Sequence, residues 1–161
     1  MVLRQFQDHP RKRVIREKWN TPILKWLSSR WAAKYFYFGL PGPQAYDVKL
    51  WKNMIRRVVA FELSLDAPDE PRKNIIELTR ELTVLDIRHT VYCGAVEQAL
   101  LRGRDEDGQD IDIDDFVTLF NLDFTGPITQ KLPTPDGRRC LRFEALRKIV
   151  AMQSDLYRRT H

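Results

Sequence analysis

Apolar and polar positions along the chain alternate between two periods. Leu24, Leu27 and Trp31 recur at helical spacing, widened by Ile23 and Trp26, and Thr21–Pro22 supplies an N-cap and a first-turn proline. The spacing predicts a helix there. "KYFYFGL" then runs apolar without alternation, the pattern of a strand buried on both faces, as in a parallel sheet. Ala45 to Arg56 reads as a helix with Val48, Trp51 and Ile55 on one side, and "RVVAFEL" (57–63) as the next strand. After the loop "SLDAPDEP", Ile75, Leu78, Leu82 and Leu85 mark a helix over 73–87. "HTVYC" is a short third strand, and "AVEQALLRG" a short helix closed by Gly103. "FVTLFNLDF" (116–124) is the most strand-like run. Pro127, Pro133 and Pro135 keep the following stretch irregular, and 141–158 is a last helix with Phe143, Leu146, Ile149, Val150 and Tyr157 facing inward.

Strand and helix therefore alternate four times behind a leading helix. This order predicts an α/β three-layer sandwich with a mainly parallel sheet of about four strands and right-handed crossovers. At 161 residues the chain fits one such domain. The expected division is a basic N-terminal arm over residues 1–20 and a single α/β domain over 21–161.

Charge adds an asymmetry to this plan. The net charge of +5 splits into +7 over residues 1–34 and −2 over the remainder. Arg11, Lys12, Arg13, Arg16 and Lys18 form the densest cationic cluster, a candidate for nucleic acid or an acidic partner. Trp26 and Trp31 lie within the leading helix, so packing rather than base stacking is expected of them. No apolar run approaches the roughly 20 residues of a membrane span, and "MVLRQFQDHPRKR" lacks the apolar centre of a signal peptide. A cytoplasmic protein with no membrane partner is expected. Cys93 and Cys140 fit reduced thiols, Cys93 as a buried structural one. The three histidines are scattered, so no metal is expected. The acidic stretch "RDEDGQDIDIDD" matches a calcium loop only in part: its first place falls on Gly103, which has no ligand, and its last is Asp114 rather than Glu. A solvated, mobile loop is the expectation.

Ligands of open α/β sheets bind at the carboxyl ends of the strands. Those ends hold "FGLPGP", Glu62, "YCG", and Asn121 with Asp123. Gly39 to Glu62 is about the interval that separates a glycine turn from a ribose-binding carboxylate. Glycine lets a backbone approach a ligand closely, and a carboxylate accepts from both ribose hydroxyls. A dinucleotide GxGxxG is missing from the chain, which argues against NAD.

"YFGLPG", "VVAFE" and "FNLDFTGP", in that order at successive strand ends, resemble a Rossmann-like S-adenosylmethionine-dependent methyltransferase from about Tyr35 onward. The resemblance implies S-adenosylmethionine as cofactor. Its methionine part would lie against the turn of Gly39, Pro41 and Gly42, and its ribose on Glu62. Asn121 and Asp123 would face the methyl group and substrate as the catalytic pair. "GLPGP" is stiffer than the family's usual turn, because proline removes an amide donor. A domain of that class continues with three more strands, so a truncated sheet is expected, the N-terminal half of a methyltransferase. Two functions follow. One is a methyltransferase, possible also as a split or inactive form. The other is a non-catalytic interaction protein on the same half-domain, binding protein or nucleic acid. In the implied strand order the fourth strand is an unprotected edge. It predicts a homodimer through residues 116–124 and 141–158, or a second chain supplying strands at the same place.

Overall fold

A computed structural model of the chain describes residues 9–31, 33–64, 72–123, 127–134 and 137–160. Most of the loop expected at 64–71, together with Phe124 and Pro135, lies outside them.

Helical structure begins earlier than the pattern suggests. α1 (Pro10–Ile15) passes through a π-helical turn (Arg16–Asn20) into α2 (Thr21–Trp31). Most of the expected arm is therefore helix. Thr21 is not an N-cap but an internal residue: its hydroxyl donates to the Arg16 carbonyl (2.8 Å) and accepts from the Trp51 indole N–H (2.8 Å). β1 (Tyr35–Gly39) follows, then α3 (Tyr46–Trp51), a 3-10 turn (Lys52–Met54) and β2 (Ile55–Glu62). Ile55 thus opens a strand instead of closing a helix. α4 (Lys73–Val84), β3 (Arg88–Cys93), α5 (Val96–Arg102) and β4 (Leu119–Asn121) complete the sheet. The proline-bearing stretch, expected to be irregular, forms a small antiparallel hairpin of β5 (Leu132–Thr134) and β6 (Gly137–Arg139). α6 (Leu141–Thr160) closes the described chain.

The four main strands form one all-parallel sheet in the order β3-β2-β1-β4. β1 is central and every residue in it is buried, as its unbroken apolar run requires. Its side chains alternate between two cores. Tyr35 and Tyr37 pack with Leu24, Val48, Trp51, Leu78 and Leu82 from α2, α3 and α4. Phe36 and Phe38 pack with Val96, Leu100, Ala145 and Ile149 from α5 and α6. These are the two helical layers of an α/β sandwich. The alternation admits one charge: Arg57 is buried among the second set, with its guanidinium 4.5 Å over the Phe36 ring and paired with Asp114. That pairing holds the Asp114 carboxyl below the usual carboxylate range.

Three packing expectations are corrected. Trp26 and Trp31 are exposed, because the column of α2 that meets the sheet is Thr21, Leu24 and Leu27. In α6 the inward residues are Leu141, Arg142, Ala145 and Ile149, with the expected Leu146 half-buried against the same core, whereas Phe143, Val150 and Tyr157 are exposed. Two apolar faces compete on that helix, and the one with the small Ala145 is turned against α5 and the sheet. The expected strand over 116–124 shrinks to three residues. Its preceding residues are held individually, Thr118 by Phe36 and the Val117 N–H by Gln153 (2.9 Å). No helix among the described residues is long and apolar enough to cross a membrane.

Candidate functional site at the carboxyl edge of the sheet

The chain runs outward from β1 through β2 to β3, then returns to place β4 on the other side of β1. The strand order reverses between β1 and β4, the position where open α/β sheets bind ligands. Two cavities open there, of about 230 and 250 Å3.

The first lies over the tips of β1, β2 and β3. Gly42, Glu62 and Asp123 line it together, so three of the expected site residues converge. Lys12 from the basic cluster joins them. Leu40, Phe61, Leu63 and Val96 supply an apolar wall. Glu62 ends β2 with its carbonyl accepting from the Gly94 N–H (2.9 Å), and its carboxylate accepts from the Leu63 N–H (3.2 Å). Burial raises its pKa to about 7, against the smaller opposing effects of Leu63 and Asn74. A carboxyl poised near neutrality accepts hydroxyl donors when ionised and donates when protonated.

The lining of this cavity also carries a buried pair, Glu97 and Arg142, at 3.6 Å. Arg142 also donates to the Pro127 carbonyl (3.1 Å) and to Gln130 (3.0 Å), tying that connection to the cavity. Neither residue was expected in the site. Glu97, in the first turn of a helix after a strand, had a readable position; Arg142 had none.

The second cavity lies at the β1–β4 switch and is lined by Arg16, Asn20, Asp47, Asn121 and the shared Lys12 and Asp123. Here the expected Asn121 is already engaged. Its amide donates to the Tyr37 hydroxyl (2.9 Å) and to Asp47, and Asp47 also accepts from Arg16. Burial pushes the Asp47 carboxyl up, with Arg16 opposing, and pushes the Tyr37 hydroxyl up strongly. Asp123 pairs with Lys12 on the border of the two cavities.

The glycine turn divides into two roles. Gly42 adopts a left-handed φ of 70° and lines the first cavity. Gly39 lines neither cavity. A Cβ there would collide with the backbone carbonyl of Asn121, so glycine is required for β4 to approach β1. The same carbonyl accepts from the Leu40 N–H (3.0 Å). Pro41 is buried in the turn and faces neither cavity.

The cationic cluster is largely spent within the protein: Lys12 on Asp123, Arg13 on Glu17 and Arg16 on Asp47. The acidic stretch is likewise not a loose loop where it begins. Asp105 is buried and accepts from the N–H groups of Cys93 (2.9 Å), Asp107 (2.9 Å) and Gln109 (2.8 Å), bracing the tip of β3. Cys93 is buried beside it, and burial raises its thiol pKa. Among the described residues no three His, Cys, Asp or Glu side chains group as a metal site. No family model, curated protein or solved structure matches the chain.

Proposed function

We propose that the chain is an S-adenosylmethionine-binding domain of methyltransferase type, working in a cytoplasmic setting. One observation carries the reading: Gly42, Glu62 and Asp123, from three separate strand ends, line a single cavity at the carboxyl edge of a parallel sheet. The residues fit the group. Glu62 is a carboxylate for a vicinal diol, and Phe61, Leu63 and Val96 offer an apolar surface to a flat base. Each cavity alone falls below the ~300–1,000 Å3 of small-molecule sites, but parting Lys12 from Asp123 would join them into that range. The cofactor supplies the electrophilic methyl group. Asp123, released from Lys12, is the carboxylate for the acceptor's proton, and Asn121 orients through Tyr37 and Asp47. Isothermal titration with S-adenosylhomocysteine tests the reading. Wild type should bind, and Glu62→Ala should lose about 1.5–3 kcal/mol, the scale of a hydrogen bond to a charged group. Equal affinities would overturn it.

A second reading, an interaction protein that self-associates, has its own support. Phe143, Val150 and Tyr157 stand exposed at seven-residue intervals along α6, the spacing of a helix-pairing seam. β4 leaves its outer edge without a described partner strand. A two-fold partner, or a second chain, would cover both. Sedimentation equilibrium of wild type against Val150→Glu and Leu119→Lys separates this reading from a monomer. Nucleic acid is the less favoured partner, since three of its five expected cations are engaged within the protein.

A further inference from the structure

α1 and α2 turn toward solvent a face that lies largely outside the site, with only its Ile15 reaching the second cavity. Arg16, Asn20, Leu24 and Leu27 form the column nearest the sheet. One position ahead of each runs a second column: Ile15, Trp19, Ile23 and Trp26, with Arg11 and Arg30 at its ends. Trp19 is 66% exposed, Trp26 60% and Ile23 53%. Large apolar side chains this open, contiguous along one helix, mark an interaction surface rather than scattered surface residues. Phe120 of β4 extends the strip, since it and Ile23 line one shared groove. Cations border it. Lys18 and Lys25 lie on the outer flank, and the Arg30 guanidinium sits 5.9 Å over the Trp26 ring. Between Pro10 and Trp31 the only acidic residue is Glu17.

We infer that this face docks on an anionic lipid bilayer. A helix with indoles and aliphatics on one stripe and Lys/Arg beside it lies in the plane of a membrane interface, apolar side down. Lysine stems extend along the apolar layer while their ammonium groups reach the headgroups. Indoles settle at headgroup depth, with ring buried and N–H wet. The charge of the face is complementary to the anionic cytoplasmic leaflet. Nucleic acid fits less well, because aliphatic Ile15 and Ile23 alternate with the two indoles and interrupt a stacking platform. The surface is separate from the α6 seam, which belongs to the opposite helical layer.

Vesicle co-sedimentation of the whole chain tests the inference, with phosphatidylcholine vesicles against vesicles containing about one-third phosphatidylserine. The protein should partition onto the anionic vesicles at least ten-fold more strongly, with a blue shift of tryptophan emission. Trp19→Ala/Trp26→Ala should weaken partitioning at least ten-fold. Lys18→Gln/Lys25→Gln should weaken it about five-fold per cation removed, on anionic vesicles only. All four positions are exposed, and far-ultraviolet circular dichroism matching wild type verifies the fold. Equal binding to both vesicle types, no binding at millimolar lipid, or unchanged binding by the tryptophan variant would overturn the proposal. So would vesicle-indifferent protein whose self-association, or whose binding of a single-stranded oligonucleotide, is abolished by the tryptophan variant.

Discussion

Replacing Glu62 with glutamine removes one titration and leaves the shape of the site almost unchanged. The unfolded carboxyl titrates near 4.5 and the folded one near 7. At about 1.36 kcal/mol per unit, ionisation costs the folded state on the order of 3 kcal/mol. The folded protein binds this proton more tightly than the unfolded chain. The associated stability is therefore fully present below pH 4.5 and is lost as pH rises through 7. Subtracting wild type from Glu62→Gln cancels every other titrating group. That difference in unfolding free energy should grow in favour of the variant by about 2 kcal/mol between pH 5.5 and pH 8. With a urea slope of about 2 kcal/mol per molar, the midpoints should separate by about 1 M over that range. A difference that stays flat with pH would show that the carboxyl is solvated. The cavity would then not be the partly desolvated pocket inferred from Phe61, Leu63 and Val96 around it.

The same proton gives a binding signature: S-adenosylhomocysteine affinity should rise about ten-fold from pH 6 to pH 8 as Glu62 ionises, measured by titration calorimetry, and a flat profile would separate the ligand from this carboxylate. Gly39→Ala should destabilise by about 1–3 kcal/mol in urea unfolding, because a Cβ there meets the Asn121 carbonyl and displaces β4; wild-type stability would contradict that contact. Asp105→Ala removes the acceptor of one N–H group at the tip of β3 and two in its own loop and should cost about 3 kcal/mol, with amide exchange accelerated at Cys93, Asp107 and Gln109. Val150→Glu should shift a wild-type dimer to monomer in sedimentation equilibrium at tens of micromolar, and an unaffected dimer would exclude the α6 seam.

The architecture was legible because its signals are local. The unbroken apolar run of Tyr35–Phe38 demands burial on both faces, and only a central strand provides it. Alternation of strand and helix set the parallel sheet, and Glu62 closing an apolar strand marked the tip that lines the cavity. Other features depend on partners distant in the chain. Lys12 meets Asp123 across 111 positions, and no period in either segment foretells it. Gly39 looked like a ligand contact, yet the Asn121 carbonyl, contributed by the returning strand, makes glycine necessary there. In α6, apolar residues at 143, 150 and 157 and at 141, 145 and 149 are equally periodic; packing against α5 and the sheet selects the second set. The acidic residues after Gly103 read as solvated by composition, but the Cys93 N–H at the tip of β3 and two N–H groups of the loop itself draw Asp105 inside. Period and propensity are properties of a segment, so the sequence alone determined the main strand–helix alternation and its layers, but not the early helix, the β5–β6 pair or the length of β4. Which face is buried, which charge is paired and which glycine is obligatory depend on what the fold brings opposite them, and only the tertiary structure decided those.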